Sequence, residues 1–247
     1  MSLITTQMLN GAGRSFSRLY SNVAIKMNVE RQVPLPAGAK IIAANHPTTT
    51  DPFIMMGLID EPIYILITSM CYEMPVLGRF LQGAGHIPVV AGNGRAAFDA
   101  AVELLKEGKT VGIFPEGALS PLEGGVCPAH TGVARLALAS GAPVIPVGIA
   151  LQTEHIIFKE ARGGDKVETA RIYLGGPYAV TTGLPLRFDG EIEDRPYVQA
   201  ATRRIMDAIM NLTHMSALRM RMTLAPQGGL ALQLSIPCSA PARRMPG

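Results

Sequence analysis

The chain has 247 residues, of which 48% are hydrophobic and 17% charged, with a net charge of +3; this suits one α/β domain with a sizeable core. So mild a positive charge, with no tryptophan and few aromatics, argues against nucleic acid as a partner, since neither a basic stripe nor a stacking platform is available. Three isolated cysteines, Cys71, Cys127 and Cys238, offer no metal-ligand spacing and no disulfide framework, and they suit a reducing compartment.

The first thirty residues carry Arg14, Arg18 and Lys26 and no acidic side chain before Glu30. Ile4, Met8, Ala12, Phe16, Leu19, Tyr20 and Val23 recur at three- and four-residue steps, so residues 1–30 read as an amphipathic helix, weakened by Gly11 and Gly13. Three readings fit: an interfacial membrane anchor, an acid-poor transit peptide, or a helix packed on its own domain. Farther on, no apolar run reaches the roughly eighteen residues that span a bilayer. The stretch 53–70 is broken by Asp60-Glu61-Pro62, and 136–151 by Pro143 and Pro146. Membrane contact is therefore expected at the surface.

Ile41-Ile42-Ala43-Ala44 reads as a short buried strand, and it runs directly into Asn45-His46-Pro47-Thr48-Thr49-Thr50-Asp51-Pro52. Asp51-Pro52 has the form of an N-cap followed by proline at the first helical position, which puts His46 at a strand-to-helix junction. A compact turn can join His46 to Asp51. A carboxylate on one ring nitrogen would fix the tautomer and leave the other nitrogen as a base near neutral pH. On this turn alone, Asp51 as a mere cap fits equally well.

Gly85 to Val89 follows, then an amphipathic helix from Arg95 to Glu107 closed by Gly108. Val111 to Phe114 is a second strand, ending in Pro115-Glu116-Gly117-Ala118-Leu119-Ser120, about 65 residues after Asp51. That separation leaves room for a strand, helix and strand, so both strand ends can open on the same edge of a parallel sheet. Cys127 precedes His130 by three residues, and the pair is either a histidine-activated nucleophile or an incidental thiol. A helix is expected over 131–140, closed by Gly141. A strand follows at 143–149, a late strand at 171–174, an acidic loop at 189–194, and a helix from Pro196 to about Leu218. From Ala225 onward proline, glycine and serine rise and periodicity fades, as in a poorly ordered tail.

The order of His46-x-x-x-x-Asp51, Gly85-x-Ile87-Pro88-Val89, Phe114-Pro115-Glu116-Gly117 and Val144-Ile145-Pro146-Val147 resembles the four blocks of the glycerophospholipid acyltransferase superfamily, which includes the 1-acylglycerol-3-phosphate acyltransferases. The resemblance covers about residues 41–212. It implies that His46 is the general base on an acceptor hydroxyl attacking an acyl thioester, with Asp51 as its carboxylate partner. It implies further that Glu116, Gly117 and Ser120 hold the polar head of the acceptor. The sequence itself does not identify the oxyanion donors; backbone amides near Gly117 are one candidate. Two basic residues common in these blocks are absent: Val90 and Ala91 follow the second block, and Leu119 stands in the third. Two readings then fit Arg79, Arg95 and Arg135: a charge brought to the acceptor from elsewhere, Arg95 being the first arginine after the second block, or, as the more ordinary case, solvated residues on helix faces.

The expected protein is thus a single α/β domain: a mostly parallel sheet flanked by helices over residues 31–224, an amphipathic segment at 1–30 and a tail at 225–247. Its expected activity is transfer of an acyl group from acyl-CoA or acyl carrier protein to a lyso-glycerolipid, of lysophosphatidic acid type by the resemblance. It would need no metal or cofactor and would sit peripherally on the cytoplasmic face of a membrane. The alternatives are a phosphate-free acceptor, thioester hydrolysis, or lipid binding without catalysis.

Overall fold

In the computed structural model, residues 3–163 and 166–224 are described. In chain order the elements are α1 (Leu3–Val23), β1 (Met27–Arg31), β2 (Lys40–Ala44), α2 (Asp51–Leu58), β3 (Ile63–Thr68), α3 (Pro75–Gly83), β4 (Ile87–Val89), α4 (Arg95–Lys106), β5 (Thr110–Ile113), α5 (Gly132–Ser140), β6 (Val144–Leu151), β7 (Ile156–Gly163), β8 (Lys166–Tyr173), β9 (Tyr178–Thr182) and α6 (Arg195–Leu224). Seven strands form one sheet in the order β1-β9-β6-β2-β5-β3-β4, and β7 and β8 form a separate antiparallel hairpin. Strands β6, β2, β5, β3 and β4 run parallel, while β9 is antiparallel to β6 and brings β1 with it. This is the single-domain, mostly parallel α/β architecture expected from the alternation of strand and helix signals.

Period-two alternation divides the core between the two sheet faces. Ile42 and Ala44 of β2 join a cluster with α2, whereas Ile41 and Ala43 join a cluster with α4, α5 and α6. Helix α6 lies so close to β6 that a Cβ on Gly148 would stand 2.0 Å from the Thr213 nitrogen. Ser216 Oγ donates to the Gly148 carbonyl at 2.9 Å across the same contact.

Helix α1 packs on the domain through its polar stripe. Asn10, Ser17 and Ser21 are buried; Asn10 Nδ2 reaches the Ile63 and Ala84 carbonyls at 3.3 and 3.2 Å, and Ser17 Oγ donates to the Phe53 carbonyl. Gly13, expected to weaken the helix, is what seats it, because a Cβ there would strike Met56 and Phe80 at 2.6 Å. The apolar stripe Ile4, Met8, Phe16, Leu19 and Val23 faces outward, each side chain 63–70% exposed. Sequence periodicity found the stripe but not its direction.

Several boundaries differ from those read in the sequence. β1 crosses the expected division between residues 30 and 31 and pairs with β9 from Met27 to Arg31; its half-exposed edge position hides the alternation. The late strand expected at 171–174 is the end of β8, whose partner β7 lacks a period-two apolar pattern. Helix α6 continues past Leu218 to Leu224. The expected tail at 225–247, with Cys238, lies outside the described residues.

Candidate active site

The fully buried strand β2 delivers the chain to the sheet's carboxyl edge, where Asn45 fixes its exit by exchanging hydrogen bonds with Ile149 of β6, at 2.9 and 2.7 Å. His46 follows. Its Nδ1 lies 3.0 Å from Asp51 Oδ2, and its ring stacks on Phe114 with centroids 4.0 Å apart. Asp51 is completely buried. Its Oδ2 also accepts the Thr48 amide at 2.7 Å, and its Oδ1 accepts the Thr48 hydroxyl at 2.6 Å and the Tyr178 phenol at 2.9 Å. A buried carboxylate needs such donors to satisfy its oxygens, and each of these partners can supply one. It therefore accepts the Nδ1 proton and leaves the lone pair on Nε2, which has no protein partner among the described residues.

Asp51 is not the helix cap that its sequence position suggested. Thr50 occupies the N-cap position without a side-chain cap bond, and Asp51 is the first residue of α2. The carboxylate is drawn back into the turn because His46, Thr48 and Tyr178 together offer it more donors than one helix amide would. Tyr178, at the start of β9, carries no local sequence signal and was missed. Burial first, then the Asp51 charge, pushes its phenol well above the usual range, so it acts as a donor throughout the physiological range.

Glu116 and Ser120, expected on the head of an acceptor, are both buried. Glu116 Oε1 accepts the His46 amide at 3.1 Å and the Ser120 hydroxyl at 2.6 Å, while Oε2 accepts the Cys127 amide at 2.5 Å. Ser120 Oγ also receives the His46 amide at 2.8 Å, and the Ser120 amide donates to the His46 carbonyl at 2.8 Å. These two side chains fasten the Glu116 turn to the His46 turn, and the carboxylate is already engaged by three protein donors. Gly117 is exposed at φ +65°, with its amide given to the Phe114 carbonyl at 3.1 Å. That amide is therefore committed to the turn and not available to an oxyanion.

Arg95, expected near the acceptor, opens α4 in an exposed position and is bound by Asp99 through Nε at 2.9 and 3.0 Å. Arg135 donates to the Ile192 carbonyl at 3.0 Å, and Arg79 is exposed on α3. None of the three is bonded to either motif turn. Arg171 is. Its backbone exchanges hydrogen bonds with Thr49, at 2.8 and 3.0 Å, and its Nη1 donates to the Ser120 carbonyl at 2.5 Å. Two residues on, the Tyr173 amide donates to Thr50 Oγ1 at 3.3 Å. β8 is thus laced along the His46–Asp51 turn, a long-range contact that no local pattern announces.

Cys127 does not have the setting of a nucleophile. Burial first, then the adjacent Glu116, raises its thiol, opposite to the lowering that makes a reactive thiolate. His130 lies instead against Gly117, where an added Cβ would meet its ring at 2.8 Å. Among the described residues no cluster of histidine, cysteine or carboxylate side chains could hold a metal ion, and no helix is long and apolar enough to cross a membrane.

Residues 26–150, half of the chain, match the family described as Acyltransferase. Among curated proteins, the chain is 27% identical over 124 residues to 1-acyl-sn-glycerol-3-phosphate acyltransferase of Bacillus subtilis, covering 49% of this chain and 60% of that one. It is 24% identical over 157 residues to the Escherichia coli enzyme of the same name, covering 62% and 64%. A chloroplastic relative from Brassica napus, 1-acyl-sn-glycerol-3-phosphate acyltransferase BAT2, is 26% identical over 140 residues, 53% of this chain and 40% of its own length. The chain thus spans between two fifths and two thirds of these relatives. Its fold is similar to the crystal structure of the 1-acyl-sn-glycerophosphate acyltransferase PlsC from Thermotoga maritima, with a TM-score of 0.53, 22% identity, and 82% of this chain and 78% of that one covered.

Proposed function

The chain belongs to the acyltransferase family, and from that premise we propose that it transfers an acyl group from a thioester donor, acyl-CoA or acyl carrier protein, to a free hydroxyl of a lyso-glycerolipid. The relatives' names favour a 1-acylglycerol 3-phosphate as acceptor. The observation that carries the reading is the His46–Asp51 pair: an Nδ1–carboxylate contact of 3.0 Å on a buried aspartate beside a partly exposed imidazole.

In the proposed reaction, Nε2 of His46 accepts the acceptor's hydroxyl proton as its oxygen bonds to the thioester carbonyl carbon. Asp51 steadies the imidazolium that forms. Collapse of the tetrahedral intermediate breaks the carbon–sulfur bond, and the imidazolium returns the proton to the departing thiolate. No covalent acyl-enzyme is needed. Tyr178, Thr48, Glu116 and Ser120 act by holding the pair in place, so that the rate gain comes from orientation as well as base assistance.

The outward apolar stripe of α1 supports peripheral membrane docking, which would bring the site to lipid substrates. Arg14 and Arg18 are tied to the carbonyls of Asp60 and Ile59 at 2.5 and 2.9 Å, so the attraction would be chiefly apolar. The test is thiol release from a long-chain acyl-CoA by the purified protein in detergent, with lysophosphatidic acid, with a neutral lyso-lipid and with no acceptor. Acceptor-dependent release that disappears in His46→Ala is expected. Release that ignores the acceptor would replace transfer by hydrolysis, and equal release by His46→Ala would remove the base assignment.

A further inference from the structure

We propose that Arg171 of β8 is the cation that recognises the phosphomonoester of the acceptor, in place of the basic side chains missing at Ala91 and Leu119; this rests on the acyl-transfer reading above. A phosphomonoester dianion held near His46 needs a charged, multidentate donor, and guanidinium is the side chain best shaped for it. Leu119 supplies neither charge nor donors. Among the described residues, Arg171 is the only arginine or lysine bonded to either the His46–Asp51 turn or the Glu116 turn.

Its setting is that of a binding group and not of a solvated surface charge. The residue is half-buried, and among the described side chains no carboxylate lies within ion-pairing distance of it. The guanidinium uses Nη1 on the Ser120 carbonyl, and Nε and Nη2 have no partner among the described residues. Among the described side chains, then, those two donors are open to two phosphate oxygens in parallel. The backbone is clamped to Thr49 on both sides, three residues from His46, and Nη1 is held on the Ser120 carbonyl, so the residue is tied to both turns. Its charge already acts on its surroundings, opposing the rise in the Cys127 thiol caused by burial and Glu116. His130, exposed beside Gly117, flanks the same turn.

The arrangement explains how two motif positions can lose their basic residues without losing the phosphate. The charge comes from outside the motifs, on a hairpin that crosses the turn in space. It also separates roles within the site: Glu116 and Ser120 brace, Arg171 binds.

The experiment compares wild type with Arg171→Gln and Arg171→Lys. Steady-state kinetics are read with lysophosphatidic acid and acyl-CoA varied separately, and equilibrium dialysis is run with labelled sn-glycerol 3-phosphate and with inorganic phosphate. Arg171→Gln is expected to raise the KM for lysophosphatidic acid at least tenfold with the acyl-CoA KM within twofold, and to abolish retention of glycerol phosphate. Arg171→Lys should fall between. Retention of inorganic phosphate equal to that of glycerol phosphate would mark a site for the free anion and overturn the acceptor assignment. So would an unchanged KM for lysophosphatidic acid, or a fall in kcat alone, which would make Arg171 a brace for the turn. Wild-type protein without acceptor-dependent thiol release would sink the acyl-transfer reading itself, and the dialysis would still decide whether Arg171 binds phosphate. Melting curves of both variants confirm that each is folded.

Discussion

Replacing Tyr178 by phenylalanine removes one oxygen from the site and nothing else of its volume. That oxygen is the donor, 2.9 Å from Asp51 Oδ1, inside a region from which water is excluded. A hydrogen bond to a charged group contributes about 1.5–3 kcal/mol, and in a domain of this size each kcal/mol moves the melting temperature by about 2–4 °C. Tyr178→Phe should therefore melt roughly 3–12 °C lower. Its effect on turnover should be small, less than about tenfold, because Oδ2 keeps both His46 and the Thr48 amide and a carboxylate with fewer donors holds the Nδ1 proton more strongly. Calorimetric melting and kcat, measured on the same preparation, separate the two effects. A hundredfold loss of kcat with an unmoved melting temperature would refute the reasoning, since the phenol would then belong to the proton path instead of the scaffold. A cycle with Asp51→Asn should show coupling of about 0.5–3 kcal/mol.

Burial holds the His86 imidazole at a pKa of about 4, below its ordinary 6.5, so the unfolded chain binds the proton first as pH falls. Its contribution is complete above pH 6.5 and is lost between 6.5 and 4, by roughly 3 kcal/mol; urea midpoints across that window should fall with pH in wild type and less in His86→Gln, and parallel curves would contradict this. Gly148→Ala would set a methyl 2.0 Å from the Thr213 nitrogen, an overpacking of about 3 kcal/mol or more, and a variant melting within 2 °C of wild type would show that α6 is not seated so closely. Met8→Asp with Leu19→Asp alters two side chains about two-thirds exposed. At about 1.5–3 kcal/mol for each full burial, vesicle affinity should drop at least about thirtyfold with little change in melting. Equal sedimentation with vesicles would refute docking through α1.

The turn from Asn45 to Pro52 was legible because its chemistry is local: the strand, the histidine, the aspartate and the proline lie within one short segment, and their spacing alone permits the 3.0 Å contact. The alternation of apolar runs with amphipathic helices likewise sets an α/β sheet, since each element must bury its face against another. What the residues do to one another across the chain was not legible. Glu116 looked like a ligand group and is a buried fastener, because only the fold brings the His46 and Cys127 amides to it. Tyr178 and Arg171 are 127 and 122 residues from their partners in the turn, and pairing at such separations follows from strand order, not from any pattern in the neighbouring residues. Helix α1 makes the same point. Its periodicity fixed two faces, but which one turns inward was decided by the carbonyls of Phe53, Ile63 and Ala84, which give its polar side chains partners that water would otherwise supply.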